Sequence, residues 1–291
     1  MRILIYGLAK SGTTALHIKI KAGMEAHFKT DITEVFESVR REGNTLYKRD
    51  ESKFELTEHT LVKSLLPAVD GKGASPESIL SDYADFDKKI FIARDPRDRW
   101  ISAFFYRWYH MHNPNKADFE RAHRLTEYKE QHPSDIPFYS LFSTKPSRNE
   151  SWAARQIELH EKVKGFLTKA KDQDWFVLKY EDLMDGNLND LEKYLGLSLS
   201  EENKNDQRFS HVARSKKHGN WRRWFTEDDV EFYQPVFNDY LDFVGYDITD
   251  WKLTGTDHLP AQEGSSYMYK LFHGHHHKHH SKKKGWRKLF K

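Results

Sequence analysis

The chain opens on a short, mostly apolar run, "RILIY" (2–6), ending at Gly7, the pattern of a strand buried on both faces of a parallel sheet. A second such run is "KKIFIAR" (88–94), and a third lies within "DWFVLKYEDLM" (174–184). Between them the period changes. "TTALHIKIKAG" reads as a helix stopped by Gly23, and "DPRDRWISAFFYRWYHMH" (95–112) opens a helix with Asp95 as cap and Pro96 at its first position. Long helical patterns fill 115–131 and 150–171, and a shorter one follows near "NDLEKYLGL". "TEDDVEFYQPVFNDYLDFVGY" (226–246) closes the series as a helix with an irregularity at Pro235. Strands alternating with helices, and a glycine loop after the first strand, predict an α/β fold, a parallel sheet flanked by helices.

Composition alters this picture at one place, near 252–266. From Gly264 onward there are eight Lys or Arg, no Asp or Glu, and six of the 17 histidines. That leaves 39 of the 47 basic residues against all 44 acidic ones, so the body leans acidic although the whole chain is +3. We expect one domain over 1–252 and a basic His/Lys-rich tail over 253–291, with 269–291 disordered and Trp286, Leu289 and Phe290 as apolar anchors beside cations. Such a tail suits an anionic membrane surface or an acidic glycan better than nucleic acid; a plain solvated end is the alternative. The chain has no cysteine, which excludes disulfides, zinc–thiolate sites and thiol catalysis. No apolar run approaches the roughly 18 residues of a membrane span, and no signal-peptide pattern is present. The expectation is a cytoplasmic protein, peripheral at a membrane if the tail engages one.

The candidate chemistry begins at "YGLAKSGTTAL" (6–16). Gly7 and Gly12 keep the spacing of a phosphate-binding loop, but the lysine that normally follows the second glycine is replaced by Lys10 inside the loop. Amides of Leu8 to Thr13 at a helix start can wrap an anion. Lys10 can reach a bridging or terminal oxygen itself, which makes a metal less necessary. A second feature is "FIARDPRDRWISAFF" (91–105), where Arg94 leaves the end of a buried strand and Ser102 lies about two helical turns on. Such a pair can hold a separate phosphate. The third is "RSKKHGNWRRWFT" (214–226), a glycine turn with cations on both sides and two tryptophans; alone it reads equally as a basic loop or a weak nucleic-acid patch.

Together these segments resemble the sulfotransferases that use 3′-phosphoadenosine-5′-phosphosulfate (PAPS) and release 3′-phosphoadenosine-5′-phosphate (PAP). "AKSGTTAL" is similar to that family's 5′-phosphosulfate loop, commonly P-K-x-G-T-T, and "RDPRDRWIS" to its 3′-phosphate motif. "KYEDL" (179–183) is similar to its Y-E-D segment, whose tyrosine packs near adenine, and "RSKKHGNWRRWFT" to its late R-K-G-x-x-G-x-W segment. The resemblance implies a P-loop-like sulfotransferase fold, PAPS as donor, no metal, and a hydroxyl or amine acceptor on a glycan, lipid or small molecule. It implies that Lys10 acts on the transferring group. Ala9, Ser11, Gly12, Thr13 and Thr14 would frame the 5′-phosphate. Arg94, Ser102, Arg214, Lys216 and Lys217 would read the 3′-phosphate, and Tyr180 would lie near adenine.

The chain departs from the family at telling points. Ala9 stands where proline is usual and Ala15 where small-phenol members carry tryptophan, so the loop is more like the carbohydrate and bacterial branches. A family base histidine in K-T-H-L-P is absent, since "VKSLLP" (62–67) has Leu65 at that place. Carbohydrate and some bacterial relatives use a glutamate after the first helix, where "TDITEVFES" (30–38) offers Glu34 and Glu37; Glu37, in the phrase "VFE", is preferred, and His59 is a third candidate. The aromatic run "FFYRWYHMH" (104–112) is expected to line the acceptor side in part and the core in part. Two rivals remain, a nucleotide kinase or NTPase and a non-catalytic nucleotide-binding protein acting through its tail. The first needs a lysine after Gly12, and the second fits poorly with the presence of Lys10, Arg94 and Ser102.

Overall fold

The structure is a computed structural model that describes residues 1–67, 73–110, 116–143, 145–199, 214, 215 and 217–274. β1 (Arg2–Gly7) is followed by α1 (Thr13–Phe28), β2 (Thr33–Phe36), a small antiparallel sheet of β3 (Ser38–Glu42), β4 (Thr45–Lys48) and β5 (Lys53–Glu55), and β6 (Thr60–Leu65). α2 (Pro76–Asp82) leads into β7 (Lys88–Ala93) and α3 (Pro96–His110). α4 (Lys116–Gln131), α5 (Phe138–Phe142) and α6 (Pro146–Ala170) precede β8 (Trp175–Lys179). α7 (Tyr180–Asp185), α8 (Asn189–Leu195), α9 (Trp221–Trp224) and α10 (Glu227–Phe243) come next, and a last helix, α11, covers 265–274.

Five strands form a parallel sheet in the order β2-β6-β1-β7-β8. This is the α/β sheet flanked by helices that the apolar runs predict. Alternate residues of each strand point to opposite faces. Ile3, Ile5, Ile90, Ile92 and Leu178 therefore pack with Leu16, Ile20 and Met24 of α1 and Leu191 and Leu195 of α8. Leu4, Tyr6, Phe91 and Ala93 pack on the other face with Leu159, Val163 and Phe166 of α6. A third, aromatic-rich core gathers α3, α5, α9 and α10 beside the sheet, with Phe104, Phe105, Trp221, Trp224 and Phe237 all nearly inaccessible.

Several expectations are corrected. Gly23 does not stop α1, which runs on to Phe28 and ends at Lys29 in the left-handed region. A Cβ at Gly23 would stand 2.9 Å from the Ser198 carbonyl oxygen, so this glycine serves a close approach inside the helix. Pro235 lies within a continuous α10, whose capping box (Thr226 and Asp229) and buried face hold it despite the missing N–H. β2 and β6 belong to the main sheet although neither reads as an apolar run. The boundary at 252 is also misplaced. Leu259, Tyr267, Met268, Leu271 and Phe272 are buried in the aromatic core, so the packed body reaches residue 274. Only the front of the segment expected to be disordered, 269–274, lies among the described residues, as part of α11; 275–291 lies outside them.

Candidate active site

In parallel α/β sheets the strands' carboxyl ends face one edge, and ligands bind there. Register places Gly7 level with Leu65 and Ile92, Phe36 level with Lys63, and Ala93 level with Lys179. The candidate site is made of residues at and just beyond these strand ends: the loop 8–12 after β1, Glu37 after β2, Lys63 to Leu65 at the end of β6, Arg94 after β7 and Tyr180 after β8.

The loop closes through a 3.2 Å bond from Ser11 N to the Leu8 carbonyl, leaving Ala9 exposed at its corner and Ser11 buried. Lys10 (φ 69°) and Gly12 (φ 93°) both adopt left-handed backbone. That conformation costs a lysine about 1–2 kcal/mol and a glycine little. Gly12 is required for a second reason, since any Cβ there would strike the Tyr180 ring, with Cε2 at 2.9 Å. α1 begins at Thr13 with no side-chain cap and no acidic residue in its first turn. An uncapped N-terminus of this length presents free amides and a positive dipole end to an anion.

Cations from four separate segments meet at this loop. Arg94 Nη1 donates to the Lys10 carbonyl at 2.9 Å, and its guanidinium stacks 4.0 Å from the Tyr180 ring centre. Lys63, only 2 % exposed, donates from Nζ to Glu37 Oε1 at 3.2 Å and to Thr14 Oγ1 at 3.4 Å. Burial, then the charges of Arg94, Arg214 and Lys63, pull the Lys10 ammonium well below its usual pKa. Burial likewise brings Lys63 down to about 8, against the opposing pull of Glu37. Arg214 falls to about 10 by burial, with Glu263 and Asp98 opposing.

Asp98, fully buried at the start of α3, fastens the late basic segment here: it accepts from Gly219 N and, at 3.0 Å, from Trp221 N. Burial pushes its carboxyl up, against Arg94. Ser102 is buried about one turn further along the same helix. Of the other sequence candidates here, Lys217 is exposed and Lys216 lies outside the described residues. The Tyr180 ring lies against Gly12 and Arg94, where it supports the loop from within the protein.

The three candidate bases separate cleanly. Glu37, itself in left-handed backbone at the break between β2 and β3, sits at the edge beside Lys63. Glu34 faces α1, 3.1 Å from His17 Nε2 and 3.4 Å from Lys21 Nζ. His59 stacks on Phe28 before the six-residue β6, at the opposite edge of the sheet and about 20 Å from the loop by strand rise.

Sequence reasoning passed over one group that the fold brings to the site, Lys63, and named another, Tyr106, only as part of a run. Lys63 stands inside "VKSLLP" as a charge in an apolar run, a signal that it is held for a reason. Tyr106 of α3 lies with its ring 3.6 Å from Lys10 Nζ and stacks on Tyr109 at 5.3 Å. The run 104–112 thus divides: Phe104, Phe105 and Trp108 enter the core, while Tyr106 and Tyr109 are half-buried against it, with Tyr106 reaching the loop.

The chain matches the model of the sulfotransferase domain over residues 1–245. It belongs to the sulfotransferase domain family. The protein is accordingly a PAPS-dependent sulfotransferase, which transfers a sulfuryl group to an acceptor and releases PAP. No curated protein matches the chain. A solved structure similar to it is that of retinol dehydratase in a complex with retinol and PAP, at 18% identity and a TM-score of 0.46, covering 84% of this chain and 82% of that one. The assignment rests on the family match and not on this likeness.

The residues present fit a nucleotide carrying anionic groups at two places. Arg94 Nε, Arg214 Nε and Arg214 Nη2 are buried donors without a hydrogen-bond partner among the described residues. Buried N–H groups of this kind are costly unless something accepts from them.

Proposed function

We propose that this edge of the sheet is the donor site and that Glu37 is the general base for a hydroxyl or amine acceptor. Amides of Gly12, Thr13 and Thr14, in a loop shaped by Ala9 and Ser11, hold the 5′-phosphate at the uncapped start of α1. Arg94, Ser102 and Arg214, with exposed Lys217, read the 3′-phosphate, and Tyr180 holds Arg94 and Gly12 in place. Glu37 takes the acceptor's proton as the acceptor oxygen bonds to sulfur. Lys10, aided by Lys63, neutralises the charge left on the phosphate oxygen as the old S–O bond breaks.

The observation that carries this reading is the convergence of Lys10, Lys63, Arg94 and Arg214, where burial first and then the three neighbouring charges depress the Lys10 ammonium. Like charges gathered in a buried place are unfavourable until an anion completes them. A thermal-shift comparison of PAP, ADP and ATP tests it: PAP should stabilise most, and equal shifts from all three would overturn it.

On the acceptor side, the paired Tyr106 and Tyr109 rings beside Lys10 support a ring-bearing acceptor, a glycan or a lipid-linked one, because aromatic faces stack on sugars and ring systems. The basic segment 275–291 adds an anionic membrane surface as the place of work, at about 1 kcal/mol per lysine near the leaflet. Labelled-donor assays against glycan, lipid and phenol acceptors test the first point. Co-sedimentation with anionic liposomes, comparing the full chain with one ending at Gly274, tests the second; equal pelleting at low salt removes the tail from the account.

A further inference from the structure

Past residue 245, where the family match ends, the chain returns to the site and is fastened there. Leu259 N donates to the Glu130 carbonyl at 2.9 Å, and Ser265 N and Oγ donate to the two Glu130 carboxylate oxygens, each at 2.6 Å. A side chain at Gly264 would collide with Glu130 and, at 2.8 Å, with Trp224, so the turn closes only on glycine. Met268 and Leu271 then enter the core, and Phe272 stacks on Phe119 at 3.8 Å.

These anchors fix Glu263. Its carbonyl accepts from Arg214 Nη1 at 2.8 Å, and its Oε2 lies 3.8 Å from that nitrogen and 3.3 Å from Arg223 Nη2. The Arg214 side chain is 3 % exposed, with Nε and Nη2 left without partners among the described residues. A guanidinium is a rigid planar fork, and Nε with Nη2 forms one edge that grips a phosphate through two parallel bonds.

We propose that Glu263 is a positioning residue for donor recognition: the strap 260–274 holds Arg214 by Nη1 and aims its open Nε–Nη2 edge at the 3′-phosphate. The proposal rests on the reading of Arg214 as a 3′-phosphate contact. It extends the working enzyme beyond the matched domain, because the strap sets how well the donor is told from nucleotides lacking that phosphate. Tyr267, one turn further, lies within electrostatic reach of both Arg214 and Tyr106, so the same strap borders the acceptor side.

The test is titration calorimetry of the full chain with PAP and with adenosine 5′-phosphate, taking the ratio of the two dissociation constants. Arg214→Ala should shrink that ratio by about 10–100-fold, the worth of a charged hydrogen bond. Glu263→Gln should shrink it by about 5–10-fold, with the loss appearing in KM for the donor rather than in kcat, and Glu263→Asp should restore much of it. An unchanged ratio in Arg214→Ala defeats the donor-site reading itself. A ratio that falls in Arg214→Ala but not in Glu263→Gln, which keeps the carbonyl bond and removes only the charge, defeats Glu263 as the positioning side chain and leaves the donor-site reading standing. A fall in Glu263→Gln that tracks lowered Tm and is not recovered by aspartate marks a merely structural residue, and also overturns the proposal.

Discussion

The two ends of the parallel strands are built from similar residues and behave oppositely. At the amino edge, Arg2 lies 3.6 Å from Asp85, its amide donates to Asp87 at 2.6 Å, and His59 stacks on Phe28. The Arg2–Asp85 pair is open to water, the kind of pair that contributes little. At the carboxyl edge, Lys63, Arg94 and Arg214 are buried, burial draws Lys10 well below its usual pKa, and Arg94 and Arg214 keep donors without acceptors among the described residues. One edge has been neutralised by its own chain. The other has been left charged, and only a ligand of opposite sign completes it. Among the described residues, single unanswered arginine donors also occur at Arg99, Arg107 and Arg121, so what marks the functional edge is that several such cations converge in one place.

This contrast can be broken by substitution. The largest effect should come from Glu37→Gln, lowering kcat by about 10²–10⁴ with little change in PAP binding. Glu34→Ala, in contrast, should cost about 1–3 kcal/mol in chemical denaturation by leaving buried His17 without its partner, with kcat nearly kept. If Glu34→Ala were the dead enzyme, the base has been misassigned. Next comes Lys10→Ala, for which we expect kcat to fall by about 10²–10³ in a folded protein. Retention of a third of wild-type turnover would remove Lys10 from the reaction.

Lys63 sharpens the comparison through pH. With its pKa at about 8, the ammonium is present below that value and lost above it. Donor kcat/KM, which reports the free enzyme, should therefore decline as pH rises through about 8, and Lys63→Arg should move the decline upward. A profile with the same limb in both proteins would assign it to another group. The smallest effects belong to the amino edge. Arg2→Ala should change stability by no more than about 1 kcal/mol. Neither it nor His59→Ala should alter PAP affinity. A large loss of turnover in His59→Ala would reverse the comparison.

The legible parts of the sequence are those where apolar pattern and chemistry lie apart. β1 is apolar throughout its buried stretch and β7 from Ile90 onward, and the lysine of the loop is read from spacing alone. β6 is hidden because Lys63 and Ser64, at 2 % and 0 % exposure, interrupt its run, the first beside Glu37 and the second donating to the Ser38 carbonyl. Glu34 and Glu37 obscure the break at β2 in the same way. α11 is hidden for a different reason: the cations that begin at Lys270 dominate the composition, while Tyr267, Met268, Leu271 and Phe272 keep the spacing of a buried helical face. The link between Glu263 and Arg214 has no local signal, since it exists only once two distant segments have docked.

That docking orders events when the chain is made. The loop at 7–12 appears first, but β1 needs β6 and β7 beside it, and Arg214 receives its holder only when residue 263 has arrived. Pairings between distant segments are slow to close. An unfinished chain can carry the sheet and the loop without an aimed Arg214, so it meets PAP with part of its grip missing. By mass action the nucleotide favours molecules in which beginning and end have already met. A released product that lingers in the site thus acts as a selective stabiliser of completed enzyme.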